Sequence, residues 1–360
     1  MTDEVYLALQ APQAASAAEA VASLRAQLGA ALRERGLTEG DVVLLRFFCS
    51  DVYNQAPLIN FLWPATAACQ HVYIGQRPLD SAYISLQAYA LAGAQKTAAK
   101  PGSLEVRHGG YTSLWLLEYP PAPGSAEAQT DDILSGLSRR LAKERMTLAD
   151  NVVRTWYYLR DIDNTYAGMI ASRVRHYEAA GLTPETHFIA STGIEGRSPD
   201  PHALVALQAH AVWGLEPGQV RYLRAPDHLS PTSLYGVNFE RAALITYGDR
   251  QHCHISGTAS IDAKGNVLHK GDVVRQLGRT LENMQALLAE GDMRMTDLRA
   301  VTVYLRDGAD APRITTPLAL KLPRGCAVNI NEGAVCRPDW LVEIEAEAVR
   351  PHSAPWPRFI

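Results

Sequence analysis

Residues 341–349 read LVEIEAEAV, with Glu343, Glu345 and Glu347 at alternate positions and Ile344, Ala346 and Ala348 between them. Successive side chains of a strand point to opposite faces, so as a strand this run puts three carboxylates on one face, where neighbouring like charges repel. A solvated edge strand is one reading. Another comes from two earlier stretches of the same rhythm, YISLQAYAL at 83–91 and LVALQAHAV at 204–212. In each, Gln87, Gln208 or Glu345 is followed by Ala, a variable residue and Ala. One strand used three times means a chain built of repeats.

Each such strand follows a longer shared signature: an amphipathic helix, a short link and a β-rich run closing on Asp. The copies are 23–51, 133–161 and 276–307, ending at Asp51, Asp161 and Asp307. The second and third are preceded by further β-type runs, RHGGYTSLWLLEY (107–119) and HCHISGTASIDAKGNVL (252–268), the latter with a turn at Lys264–Asn266. The first has only EVYLALQA (4–11) in that place. YPPAPGSAEAQT (119–130) and RAPDHLSPTS (224–233) read as exposed loops. The expected fold is α+β: a degenerate repeat over 1–100, a second over 105–215, a linker over 216–250 that touches substrate, and a third repeat over 251–350. Three units with half-polar strand faces pack naturally about a pseudo-threefold axis.

Composition narrows the function. With 360 residues, 47% of them hydrophobic, the chain buries a sizeable core, and a net charge of −4 without basic clusters excludes nucleic acid and anionic membranes as partners. There is no basic-then-apolar leader and no apolar run near the roughly 18 residues of a membrane span, so a cytoplasmic location is expected. Five scattered cysteines without C-x-x-C indicate reduced thiols. His252 and His254 share a face, but no third ligand stands at metal-binding spacing. A Gly-rich phosphate loop and a G-x-S-x-G elbow are both absent, so no cofactor is expected.

Aligning the closing strands puts Ser85, Ala206 and Glu343 in one column, of which only the last ionises. One active site per chain follows, at Glu343. In VVRTWYYLRD, alternation sets Arg154, Trp156, Tyr158 and Arg160 on one face; SLYGVNFERA adds Tyr235 and Arg241. Arginines are suited to grip carboxylates, although each could equally be a surface ion-pair partner. Gly257 in ISGTASI marks either a β-bulge or a close backbone approach, with Ala259 keeping that face roomy. Ser191 and Thr192 in ASTGIEG are ligand hydroxyls or a plain turn, and Cys336 is a small buried hydrophobe or a site thiol.

HISGTASID, GDVVRQLGRTLENMQALL, LRAVTVYLRD and VEIEAEA, in this order, resemble the YjgF-like reactive-intermediate deaminases. That resemblance implies chorismate-mutase-like units with active sites between them, here a trimer fused into one chain. VVRTWYYLRDID, ASTGIEG, SLYGVNFERA, ISGTASI and VCRPDWLVEIEA further resemble the chorismatases over about 105–350. This second resemblance implies release of pyruvate from chorismate, leaving a hydroxybenzoate or a dihydroxycyclohexadiene carboxylate. It carries the acid onto Glu343 and associates Cys336 with hydroxybenzoate formation. It also draws Arg154, Arg160, Tyr235, Arg241, Gly257, Ala259, Ser191 and Thr192 towards the substrate. An ordinary carboxyl is ionised at neutral pH, so the acid must be raised by burial. One departure is that CAVNINEGAVCRP (326–338) lacks the Arg with which simple deaminases hold their substrate. Deamination of an enamine and carboxylate binding without turnover remain alternatives. The internal trimer predicts a monomer.

Overall fold

Each recurrent strand lies in the middle of a sheet, not at an edge. The computed structural model describes residues 3–66, 68–79, 82–100 and 102–360, with the side chains of residues 99, 100 and 235 outside the description. Among the described residues there are three sheets. The first runs Glu4–Gln10, Ile84–Leu91, Val42–Cys49, Gln70–Ile74. The second runs Gln95–Lys100, Ser103–His108, Tyr111–Glu118, Val205–Trp213, Val152–Leu159, Ala190–Glu195. The third runs Val220–Leu223, Ala242–Thr246, Arg250–Ala259, Val342–Pro351, Leu298–Leu305, Ala327–Glu332.

The final strand pair of every sheet is parallel, which requires a crossover. The helices Val52–Leu62, Ile162–Ala179 and Ala311–Lys321 supply it. A second helix per unit opens on a side-chain cap: Ser16 for Ala17–Arg33, Ser125 for Ala126–Lys143, Asp272 for Val273–Glu290. Each turns an apolar stripe to its sheet, as in Leu24, Leu28 and Leu32 or Leu134, Leu137 and Leu141. No helix among the described residues is long and apolar enough to cross a membrane.

Two boundaries differ from the expectation. The stretch 216–250 is not merely a linker, since Val220–Leu223 and Ala242–Thr246 form the edge of the third sheet. Gln95–Lys100 pairs with Ser103–His108 and so belongs to the second sheet instead of the first repeat. Strands this short offer too few alternations to be told from loop by pattern.

The sheets turn their helix-free faces towards one another, and one apolar cluster draws on all three units. The polar side of the closing strands meets there. Arg46 donates to Gln208 Oε1 at 2.8 Å and Gln87 Oε1 at 3.1 Å, while Gln87 donates to Thr302 Oγ1 at 3.3 Å. The three carboxylates that opened the question therefore face the interior. Short bridges such as Gly75–Arg197 and Ile194–Val335 join neighbouring units at their rims.

Candidate active site

Glu343 projects into a cavity between the second and third units. The second unit contributes Tyr166 and Arg173 from the helix Ile162–Ala179 and Ser191 and Gly193 from the strand Ala190–Glu195. The third contributes Gly257, Ala259, Cys336, Arg337 and Trp340, and the segment leading into it adds Val237, Phe239 and Arg241. In the pseudo-equivalent positions Ser85 accepts a hydrogen bond from Asn329 and Ala206 is a buried methyl, so neither offers a carboxyl group.

The strand that carries Glu343 places it opposite Ala259 and Tyr304. Pairing with Arg250–Ala259 breaks register between Ile255 and Thr258, so a bulge falls at Ser256 and Gly257. Both sequence readings of Gly257 hold together, because the bulge is also the close approach. A Cβ on Gly257 would overlap Glu343 Oε1 and stand 2.8 Å from Cδ. Only a residue without a side chain lets the carboxyl group settle against the backbone.

The three carboxylates have different partners. Glu347 receives His254 Nδ1 at 2.5 Å, and although burial would raise it, this contact holds it below the ordinary range. Glu345 receives Arg154 Nη2 at 2.7 Å and Trp156 Nε1 at 3.0 Å. Glu343 has no such donor among the described residues, and burial, with Glu345 beside it, lifts it to about 8 against the pull of Arg154 and Arg241. It stands protonated at neutral pH.

Around it, the Cys336 thiol and the Tyr166 hydroxyl both face the cavity. Burial, aided by the nearby Glu343 carboxyl, pushes the thiol up to about 12, so Cys336 is a neutral S–H and not a thiolate nucleophile. Arg241 packs over Phe239 and donates to the Ser230 carbonyl at 2.9 Å.

Most of the expected residues converge here. Glu343, Cys336, Arg241, Gly257, Ala259 and Ser191 line the cavity. Thr192 stands behind, its Oγ1 accepting the Gly257 N–H at 3.0 Å. Arg154 is 1% exposed and taken up by Glu345 and Thr192, so it backs the site without lining it. Arg160 is not part of the site: it follows the end of its strand and donates to the Pro201 carbonyl. Tyr235's side chain lies outside the described residues.

Sequence reasoning missed Arg173. The residue is 2% exposed, and its guanidinium lies over the rings of Tyr157 and Tyr177 at 5.5 and 5.8 Å in the cavity wall. Nε and Nη2 have no hydrogen-bond partner among the described residues. A buried cation without a counter-ion is costly unless a ligand supplies the negative charge. The only sequence signal was an Arg seven residues after Tyr166, two helical turns on and so on the same face.

Comparisons with known proteins agree with this architecture. A family model described as Endoribonuclease L-PSP matches residues 245–350, nearly the whole third unit. The 3-aminoacrylate deaminase RutC of Acinetobacter baylyi is 31% identical over 97 residues, which make up 26% of this chain and 76% of the deaminase. A 3-hydroxybenzoate synthase of Streptomyces hygroscopicus is 28% identical over 220 residues, 54% of this chain. That match spans 62% of the synthase, less than two thirds of its length. A crystal structure of a chorismatase superposes over 86% of this chain and 93% of its own, at 20% identity and a TM-score of 0.66. Its fold is shared.

Proposed function

This chain belongs to the YjgF-like superfamily, and from that premise we propose that it acts as a chorismatase, removing pyruvate from chorismate by general-acid catalysis. The observation that carries the reading is Glu343, a carboxyl group kept protonated at neutral pH and set against the Gly257 backbone. Chorismate's pyruvyl unit is an enol ether, stable until its methylene carbon takes a proton. Glu343 donates that proton. The resulting oxocarbenium ion is next to the new carboxylate, which stabilises it electrostatically. The neighbouring ring hydroxyl captures the cation and returns its proton to the Glu343 carboxylate; one ring carbon–oxygen bond then breaks, its oxygen becomes pyruvate's carbonyl, and the ring C–H proton lost on aromatisation ends on the oxygen left behind as the hydroxybenzoate's hydroxyl. Capture by water instead gives a hemiketal that collapses to pyruvate and the dihydroxy diene.

Two carboxylates on the substrate call for two cations. Arg173, buried and without a hydrogen-bond partner at Nε and Nη2 among the described residues, takes one; Arg241 takes the other. Phe239 and Trp340 supply apolar walls for the ring, and Ser191 a hydroxyl. No cofactor takes part in these steps.

The product proposed is a hydroxybenzoate. Pyruvate and hydroxybenzoate together have the composition of chorismate, whereas the dihydroxy diene contains one water more. Cys336 and Tyr166 support the first outcome, because two protic side chains stand beside the acid in the cavity where a ring oxygen must be released. Similarity to a 3-hydroxybenzoate synthase points the same way. The test is incubation with chorismate, assay of pyruvate, and separation of aromatic products. Pyruvate with a hydroxybenzoate is expected; pyruvate no faster than in buffer overturns the proposal.

A second reading, enamine deamination, is favoured by the match to the RutC deaminase over the unit that carries Glu343. Ammonia released from 2-aminoacrylate without pyruvate from chorismate would establish it instead.

A further inference from the structure

Arg154 stands one layer behind the cavity, in a chain of contacts that leaves the third unit and returns to it. Its Nη2 donates to Glu345 Oε2 and to Thr192 Oγ1, each at 2.7 Å. Thr192 Oγ1 also accepts the Gly257 N–H at 3.0 Å, and Gly257 is the backbone against which the Glu343 carboxyl packs. Trp156 holds the other Glu345 oxygen at 3.0 Å and places its ring 4.6 Å from the Arg154 guanidinium. Glu345 and Glu343 are two residues apart on one strand face, so the same chain fixes both the site's shape and its charge.

We propose that Arg154 is a positioning residue for Glu343: through Thr192 it fixes the Gly257 bulge, and through Glu345 it cancels the like charge beside the acid, without touching substrate. The inference rests on the reading of Glu343 as proton donor. Arg154 is buried against its own partners and is absent from the cavity wall, so a substrate carboxylate could reach it only by displacing Glu345 or Thr192.

The groups facing Glu343 settle the expected signs. Glu345 on its own strand and burial push the carboxyl up; Arg154 from the second unit and Arg241 from the adjoining segment pull it down. Tyr166 and Arg173 face it from the helix, and Cys336 and Arg337 from the turn before the strand. Removing Arg154 while keeping Glu345 leaves an uncompensated carboxylate and raises Glu343 further. Neutralising Glu345 lowers it, and doing both brings the two changes into opposition.

The test uses the full chain as Arg154→Met, Glu345→Gln and the double variant, with kcat and KM for chorismate across pH. Alongside, the carboxyl 13C signal of Glu343 is titrated in glutamate-labelled protein and assigned with Glu343→Gln. For Arg154→Met we expect kcat to fall on the order of a hundredfold with KM changed by less than about threefold. The Glu343 midpoint rises by about one pH unit in that variant, falls in Glu345→Gln, and returns towards the native value in the double variant. A raised KM with an unmoved midpoint would make Arg154 a substrate contact and overturn the proposal. So would a lower melting temperature with kcat and midpoint both unmoved, which is a purely structural role. Should Arg154→Met not fold, the nearly isosteric Glu345→Gln decides by the direction of its shift. If the native protein releases no pyruvate from chorismate, the function reading fails, yet the three titrations still test the coupling.

Discussion

Glu343 was legible in the sequence only because the chain carries its own comparison: in a column of Ser85, Ala206 and Glu343, one residue ionises. Its raised carboxyl has a thermodynamic consequence. The folded state holds the Glu343 proton up to about pH 8, against an ordinary value of 4.5 in the unfolded chain. Between those values the native state binds more protons, so this group's contribution to stability falls as pH rises through the window. Glu343→Gln should therefore be more stable than the native protein above pH 8, by a few kcal/mol, with the difference shrinking towards pH 5. Thermal melts at the two pH values check it. Arg173→Met should raise KM for chorismate by about tenfold or more while leaving the melting temperature unchanged or higher, since it removes a buried uncompensated cation. Arg160→Ala should change neither.

Arg173 escaped the sequence because little separates it from Arg175 on the same helix; its burial depends on Tyr157 from the strand Val152–Leu159 as well as on Tyr177, one turn further along its own helix. Arg154 was placed on the correct face, but the partner waiting there, Glu345, comes from another repeat, and such pairing has no local signature.

At the scale of elements, alternation located the closing strands and the amphipathic stripes located the helices, because both periods run for two or more cycles. The same logic failed where an element stopped. Arg160 continues the alternation of Arg154 and Tyr158, but the strand ends at Leu159, and the Arg160 guanidinium donates to the Pro201 carbonyl outside the cavity. The bulge at Gly257 was left open in the sequence between two meanings, and the register break supplies the reason for both. Gly257→Ala forces a methyl into the Glu343 carboxyl. The expected outcome is a loss of kcat on the order of a hundredfold or more, since the acid is displaced, with circular dichroism showing the fold retained.

At the scale of the molecule, three units close on one another about a shared core. Light scattering should accordingly give the mass of one chain, 39.3 kDa. Only one of the three pseudo-equivalent interfaces carries a carboxyl group in the acid's column. Calorimetry with a substrate analogue bearing two carboxylates should give one site per chain, lost in Arg173→Met. The repeat made this architecture readable; the edge strands at Val220–Leu223 and Gln95–Lys100 were not, because four to six residues give too little period to recognise.

The central claim is that a single protonated carboxyl group at residue 343 delivers the proton that releases pyruvate. Its most direct test is the rate of pyruvate formation from chorismate, across pH, for the native protein and Glu343→Gln. The native rate should fall as pH rises through about 8, and the Glu343→Gln rate should be no greater than the spontaneous one at every pH. Native-like turnover by Glu343→Gln would contradict it.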